Sequence, residues 1–221
     1  MTPRHSTDRP LIAVIDYGIG NLHSAQKSFE RVGADARLTR DRGLIADAAG
    51  VVLPGVGAFG AAMAALRDHG LEDLTHEAAT SGRPFLGICV GMQMLCSSSE
   101  ENPGVRGLGV FDVEIRRIRR TDGLDEHLKL PQMQWNRLRF REPRHPILAG
   151  LPDETWMYFV HSFAAVDGHE VIASCDYGGD VVAALGRGPV AALQFHPEKS
   201  SGGGLALLGN FLETCRTGEW V

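Results

Sequence analysis

The chain has 221 residues, a formal net charge of −5, 43% hydrophobic and 22% charged residues, a composition ordinary for a water-soluble globular protein. The negative balance disfavours a binder that works mainly through phosphate contacts, and no apolar run approaches the roughly 20 residues of a membrane-spanning helix. Four cysteines, at positions 89, 96, 175 and 215, lack C-x-x-C spacing. They read as reduced thiols, not as a disulfide framework or a zinc site, so no metal and no cofactor are expected.

Residues 1–9 are polar and lack the apolar core of a signal peptide, which predicts a frayed tail on a cytoplasmic protein. Residues 10–221 read as a single domain. The first apolar run, 11–15, is continuous and β-branched, as expected of a parallel strand buried on both faces. A loop over 16–21 leads to Leu22, Ala25, Phe29 and Val32 at helical spacing, with Gly33 as C-cap. A short strand at 36–38, a helical patch at 44–49 and a buried strand at 51–53 follow. Helices are expected over 58–69 and 71–80, then a strand over 84–88, a glycine-flanked turn, and a helix over 92–96.

The first half thus alternates strand and helix, the pattern of a parallel, doubly wound α/β sheet. The second half differs. Segments 107–118, 128–140, 155–166, 170–176 and 180–196 read as strands, with a hairpin at Gly186-Arg187-Gly188-Pro189. Residues 204–215 form a final amphipathic helix.

The turn after the 84–88 strand is Gly87-Ile88-Cys89-Val90-Gly91. A strand, a sharp glycine-flanked turn carrying a nucleophile and a helix together form an elbow, which holds the sulfur at the mouth of the sheet. The helix start is expected to favour the thiolate. A nucleophile needs a base, and the base needs an orienting group. His196-Pro197-Glu198 supplies both. Proline biases His196 to extended backbone, and in an extended tripeptide Glu198 lies on the same side as His196. Cys96, Cys175 and Cys215 read as small buried hydrophobes.

Gly87-Ile88-Cys89-Val90-Gly91-Met92-Gln93 and Gln194-Phe195-His196-Pro197-Glu198 resemble the two signatures of class I, triad-type glutamine amidotransferases. Segments 16–22, 54–59, 158–163 and 176–179, with Glu198-Lys199-Ser200, narrow the resemblance to the glutaminase subunits of imidazole glycerol phosphate synthase. It covers about residues 10–215. It implies a flavodoxin-like three-layer α/β sandwich, mostly parallel, with extra antiparallel strands in the second half. It also implies that Cys89 attacks the glutamine amide, His196 shuttles protons and Glu198 orients His196.

Oxyanion donors would come from Val90 and, in the loop Pro54-Gly55-Val56-Gly57, from Val56. Gly55, Gly57, Gln93, Glu101 and the backbone of His161, Ser162 and Phe163 match glutamine-binding positions. Asn21, Trp135, Asn136, Tyr158 and Lys199 match positions near a (β/α)8-barrel cyclase subunit, the heterodimer partner that receives the ammonia. That partner makes imidazole glycerol phosphate and an aminoimidazole carboxamide ribonucleotide in histidine biosynthesis.

Several positions admit a plainer reading from the residues alone. Glu101 fits a solvated loop charge, Gln93 a helix surface and Trp135 a core strand. Asp16-Tyr17-Gly18-Ile19-Gly20 starts like a dinucleotide fingerprint, but the third glycine is replaced by His23. Arg116-Arg117-Ile118-Arg119-Arg120 reads as a solvated edge strand with Ile118 inward, not as an RNA site. Pro131-Gln132-Met133-Gln134-Trp135-Asn136 departs from the family pattern Pro-His-Met-Gly-Trp-Asn at two positions. Alternatives are the glutaminase of another synthase such as anthranilate synthase, a regulatory protein without turnover, and a free-standing hydrolase. The 16–22 and 176–179 segments favour the histidine-pathway reading.

Overall fold

The structure is a computed structural model and describes residues 9–120 and 128–218. Most of the expected tail, residues 1–8, therefore lies outside the described residues. In chain order the elements are β1 (Leu11–Ile15), α1 (Leu22–Arg31), β2 (Asp35–Thr39), α2 (Arg42–Asp47), β3 (Gly50–Gly55), α3 (Phe59–Asp68), α4 (Glu72–Thr80), β4 (Phe85–Cys89), α5 (Val90–Leu95) and β5 (Cys96–Ser99). There follow β6 (Phe111–Arg117), β7 (Gln132–Arg137), β8 (Arg139–Phe140), β9 (Trp156–His161), β10 (Phe163–Ala165), β11 (Val171–Asp176), β12 (Asp180–Arg187), β13 (Val190–Leu193) and α6 (Ser201–Thr217).

Among the described residues the main sheet has eight strands in the order β2-β1-β3-β4-β13-β12-β11-β8. The run from β2 to β13 is parallel, and β12, β11 and β8 extend it antiparallel. On one face α1 packs against α6, and Phe29 meets Phe211 edge-on at 5.7 Å. On the other, α3 packs against both α4 and α5. The three-layer mixed α/β sandwich is therefore as expected. The parallel strands β1, β3, β4 and β13 are almost wholly buried, which explains their uninterrupted apolar sequences.

Three expectations are corrected. The helix after the elbow stops at Leu95, and Cys96 opens β5, whose Ser97 and Ser98 have no apolar period to announce a strand. β6 is not an edge strand: it lies between β10 and β5 in a three-stranded sheet, although Ile118 does point inward and Arg116 and Arg117 outward. The final helix starts at Ser201, because glycines 202–204 hide its first turn from propensity. A Cβ at Gly204 would overlap the Pro197 carbonyl, so the glycine serves close packing. The expected hairpin is present, with Arg187 paired to Val190.

β7 and β9 pair antiparallel as a separate two-stranded ribbon. Its register sets Trp135 opposite Tyr158, Arg137 opposite Trp156 and Met133 opposite Val160. These residues share one face by strand alternation.

Two glycine substitutions separate packing from propensity. Gly91→Ala places a methyl on the Leu53 carbonyl oxygen, whereas Gly209 in α6 has open space where a Cβ would go. Gly91→Ala is expected to cost about 3 kcal/mol or more, by overpacking against backbone. Gly209→Ala is expected to stabilise by about 0.5–1 kcal/mol. Urea unfolding of both variants measures the difference, and a neutral Gly91→Ala would contradict the packing described.

Candidate active site

Cys89 ends β4 and is the residue before α5, with φ +55° and ψ −111°. That is a strained backbone for a residue with a Cβ, of the kind a nucleophile elbow imposes. The neighbouring glycines make it possible. A Cβ at Gly87 would lie 2.7 Å from Leu95 Cδ1 and 3.0 Å from the Gly91 carbonyl oxygen. A Cβ at Gly55, paired with Cys89 across the sheet, would lie 2.8 Å from the Gly91 nitrogen. Helix, turn and both strands are thus in backbone contact, and the thiol is 3% exposed.

His196 follows β13, the strand beside β4. Its backbone is extended, as expected, but Pro197–Lys199 form a 3₁₀ turn. Glu198 therefore reaches His196 by the chain curling back, not by strand alternation. The result is the expected contact: Nδ1–H of His196 donates to Oε1 of Glu198 at 2.7 Å, with both side chains buried. That bond leaves Nε2 on the Cys89 side of the ring. Nε2 is buried without an aligned hydrogen-bond partner among the described residues, although it lies within the electrostatic reach of Cys89.

Burial alone pulls the His196 pKa down, but its interactions with Cys89 and Glu198 outweigh that and raise it to about 9. His161, in the same cleft, goes the other way. Burial lowers it to about 4, its Nδ1–H donates to the Phe163 carbonyl at 2.8 Å, and its Nε2 is unpartnered among the described residues. One imidazole is pushed towards the charged form and the other towards the neutral form.

A cleft of about 430 Å³ opens over the thiol. Cys89, Val90 and His196 line it together with Val56, Gly57, Gln93 and Glu101, and so do His161, Ser162, Phe163 and Lys199. Gly55 lies behind this wall, in a small recess that also meets His196 and Glu198. Gln93 is buried, not on a helix surface: its Nε2 donates to the Phe163 carbonyl and to Gln194 Oε1, each at 3.1 Å. Glu101 is not a free loop charge either, since its Oε2 accepts from the Phe59 N–H at 2.7 Å.

The residues matched to a partner surface divide. Trp135 is 42% exposed and stands edge-on to Tyr158 at 6.2 Å, while Lys199 Nζ lies 5.9 Å from the Tyr158 ring. Met133 (61%) and Trp156 (52%) extend that exposed apolar face. Asn21 is half-buried in the β1–α1 loop and its Oδ1 accepts from Ser24 Oγ. Asn136 is buried, and its amide donates to the Asp176 carbonyl at 2.7 Å. Of the two departures from the family pattern, Gln132 is buried against Cys175 and Gln134 is exposed.

Gln194 escaped the sequence reading. It is fully buried and its Nε2 faces Cys89 Sγ at 3.9 Å. Its signal was the spacing of two residues from His196. Pro131 and Val160 also line the cleft without a sequence signal. All four cysteines are free, and among the described residues no cluster of His, Cys, Asp and Glu could hold a metal.

Linkage gives a test of the His196–Glu198 pair. A raised imidazole pKa stabilises the folded chain fully below about pH 6.5, the unfolded value, and that contribution is lost as pH rises through about 9. Glu198→Gln removes the Glu198 share of that shift and leaves the larger Cys89 share, so it is expected to cost about 1 kcal/mol at pH 6 and clearly less at pH 9.5. Urea melts at the two pH values decide it, and an equal loss at both would contradict the pairing.

Comparison with known proteins gives three findings. Residues 13–215 match the family model "Glutamine amidotransferase class-I". Proteins named imidazole glycerol phosphate synthase subunit HisH are similar over nearly the whole chain. That of Methylococcus capsulatus is 48% identical, with 91% of this chain and 95% of the relative covered. That of Geobacillus kaustophilus is 44% identical, covering 91% and 96%. Among solved structures, one described as a glutamine amidotransferase superposes with a TM-score of 0.70 at 20% identity, covering 92% and 98% of the two chains. PurLQS from Thermotoga maritima gives 0.71 at 19% identity, covering 94% and 99%. These two share the fold.

Proposed function

Since the chain belongs to the class-I glutamine amidotransferases, and within them to the HisH subunits of imidazole glycerol phosphate synthase, we propose that it hydrolyses glutamine through Cys89 and supplies the ammonia to a cyclase subunit in histidine biosynthesis. The Cys89 thiolate attacks the side-chain amide carbon, and the carbonyl electron pair moves onto oxygen. The Val90 N–H and a donor from the Gly55–Gly57 loop, at Val56, meet that oxyanion. His196 gives its Nε2 proton to the leaving nitrogen, which departs as ammonia and leaves a thioester. His196 then takes a proton from water as the water attacks, and glutamate leaves with the thiol regenerated. Glu198 keeps the ring oriented throughout.

The observation that carries this reading is the meeting of Cys89 and His196, from two neighbouring parallel strands, at one cleft, with Glu198 hydrogen-bonded to His196 behind it. Gln93, Glu101, Gly57 and the 161–163 backbone then hold the glutamine. Ammonia in bulk water would take up a proton and lose its nucleophilicity, so the product needs a protected exit.

The partner is a (β/α)8-barrel cyclase, in a cytoplasmic heterodimer. What supports its docking place is the β7–β9 face, where Met133, Trp135 and Trp156 stand in water beside the cleft. An apolar, aromatic face of this kind is what a protein interface covers.

Glutamate release by the full chain, alone and with the cyclase and its nucleotide ligand, tests the activity. Cys89→Ala is expected to abolish release under both conditions, and retained release would overturn the mechanism. Trp135→Ala is expected to weaken cyclase binding at least tenfold (about 1.4 kcal/mol) in titration calorimetry, with an unchanged melting temperature. Unchanged affinity would move the interface elsewhere.

A further inference from the structure

The loop that carries Val56 and Gly57 is fastened at both of its ends by side chains from other parts of the fold. At its start, Tyr17 donates its hydroxyl to the Pro54 carbonyl oxygen at 2.8 Å. Tyr17 is fully buried, although it sits in the loop after β1. Its place has a backbone logic. β1 pairs with β3 only as far as Val14 opposite Val52, so β3 runs on past its neighbour. The phenol supplies Pro54 with the donor that a longer β1 would have given. The same hydroxyl lies 2.8 Å from where a Cβ on Gly55 would stand, so the Pro54–Gly55 peptide is held by contact as well.

At its end, the loop enters α3. The residue before that helix is Ala58, which has no side chain to cap it. The turn after β5 does so from across the fold. Glu101 Oε2 accepts from the Phe59 N–H at 2.7 Å, and Asn102 Oδ1 accepts from the Gly60 N–H at 2.8 Å. Gly60 is fitted to this contact, since a Cβ there would lie 2.7 Å from Asn102 Cγ. Between the two fastenings lie Gly55–Ala58. Within that stretch Gly57 is exposed, has φ +86° and has nothing within 4 Å of a notional Cβ.

We propose that Tyr17 and Asn102 are positioning residues that clamp the two ends of the oxyanion loop, so that only the backbone between Gly55 and Ala58 is free to reorient over Cys89. The inference rests on the proposed glutaminase reading. Neither side chain lines the cleft, although Tyr17 lies within the electrostatic reach of Cys89. Their effect is on where the loop N–H groups point when the tetrahedral oxyanion forms. A small displacement of such donors costs turnover more than substrate binding.

The test compares Tyr17→Phe and Asn102→Ala with the parent full chain in steady-state glutamine hydrolysis with the cyclase and its nucleotide ligand present, Cys89 alkylation by iodoacetamide, and amide exchange of residues 55–58 by mass spectrometry. In alkylation the sulfur displaces iodide directly from the reagent's methylene carbon, forming the C–S bond as the C–I bond breaks, and this needs no oxyanion donors. Tyr17→Phe is expected to lower kcat at least fivefold with KM within twofold, to leave the alkylation rate within twofold, and to speed exchange across 55–58. A smaller fall in kcat, or an alkylation rate that falls in parallel, would overturn the clamp. Asn102→Ala is expected to act in the same direction. If its loss of the helix cap unfolds the chain, Tyr17→Phe alone decides. A parent chain that releases no glutamate even with the cyclase and its nucleotide ligand sinks the glutaminase reading, and the exchange comparison then judges the clamp by itself: faster exchange in Tyr17→Phe upholds it and equal exchange rejects it.

Discussion

The first turn of α5 lies so close to β3 that one methyl group at Gly91 would overlap the Leu53 carbonyl oxygen. That approach fixes the direction in which the chain leaves β4, and so the direction of Cys89 Sγ. It also explains why Cys89 tolerates φ +55°. A residue with a Cβ is sterically strained there, and the strain is offset because Gly55, Gly87 and Gly91 let three backbone segments touch. Every other part of the site is placed relative to this contact. β13 pairs with β4 on its far side and delivers His196. β3 ends beside Cys89 and delivers the loop over it.

The parallel half of the fold was legible because its strands are buried on both faces and therefore apolar without interruption. The elbow was legible because glycine spacing records a close approach directly. Harder were the elements whose partners are far away in sequence. β5 contains three serines and becomes a strand only by pairing with β6. β6 looked like an edge because its arginines face water, yet solvent on one face of a strand says nothing about neighbours in the sheet plane. Glu101 could not be told from a surface charge, since its acceptor role depends on an N–H in another element. Trp135 could be placed in either core or surface until the β7–β9 register set it on the open face.

His196-Pro197-Glu198 is an instructive mixture. The three residues pointed to the right contact for a reason that was only half right. The histidine is extended, but a 3₁₀ turn, not strand alternation, brings the carboxylate round. The neighbouring histidine shows what Cys89 and that carboxylate together achieve. His161 is equally buried and has only a carbonyl acceptor, and its imidazole is pushed towards neutrality. His196 has Cys89 on one side and the Glu198 carboxylate on the other, and its imidazole is pushed towards charge. Two identical side chains in one cleft are thus given opposite proton affinities by their partners: Cys89 and Glu198 raise His196, whereas burial beside a neutral carbonyl, next to His196, lowers His161.

The sheet order has a consequence for the chain while it is being made. β13 lies between β4 and β12, and both of its partners precede it in sequence. The nucleophile strand therefore has an open flank until nearly the whole chain has left the ribosome. Only when β13 fills that gap does Cys89 acquire the histidine beside it. A chain that stops short of β13 leaves β4 with one bare edge and Cys89 without His196 next to it. Late closure of the sheet thus makes the meeting of these two side chains one of the last events in the making of the fold.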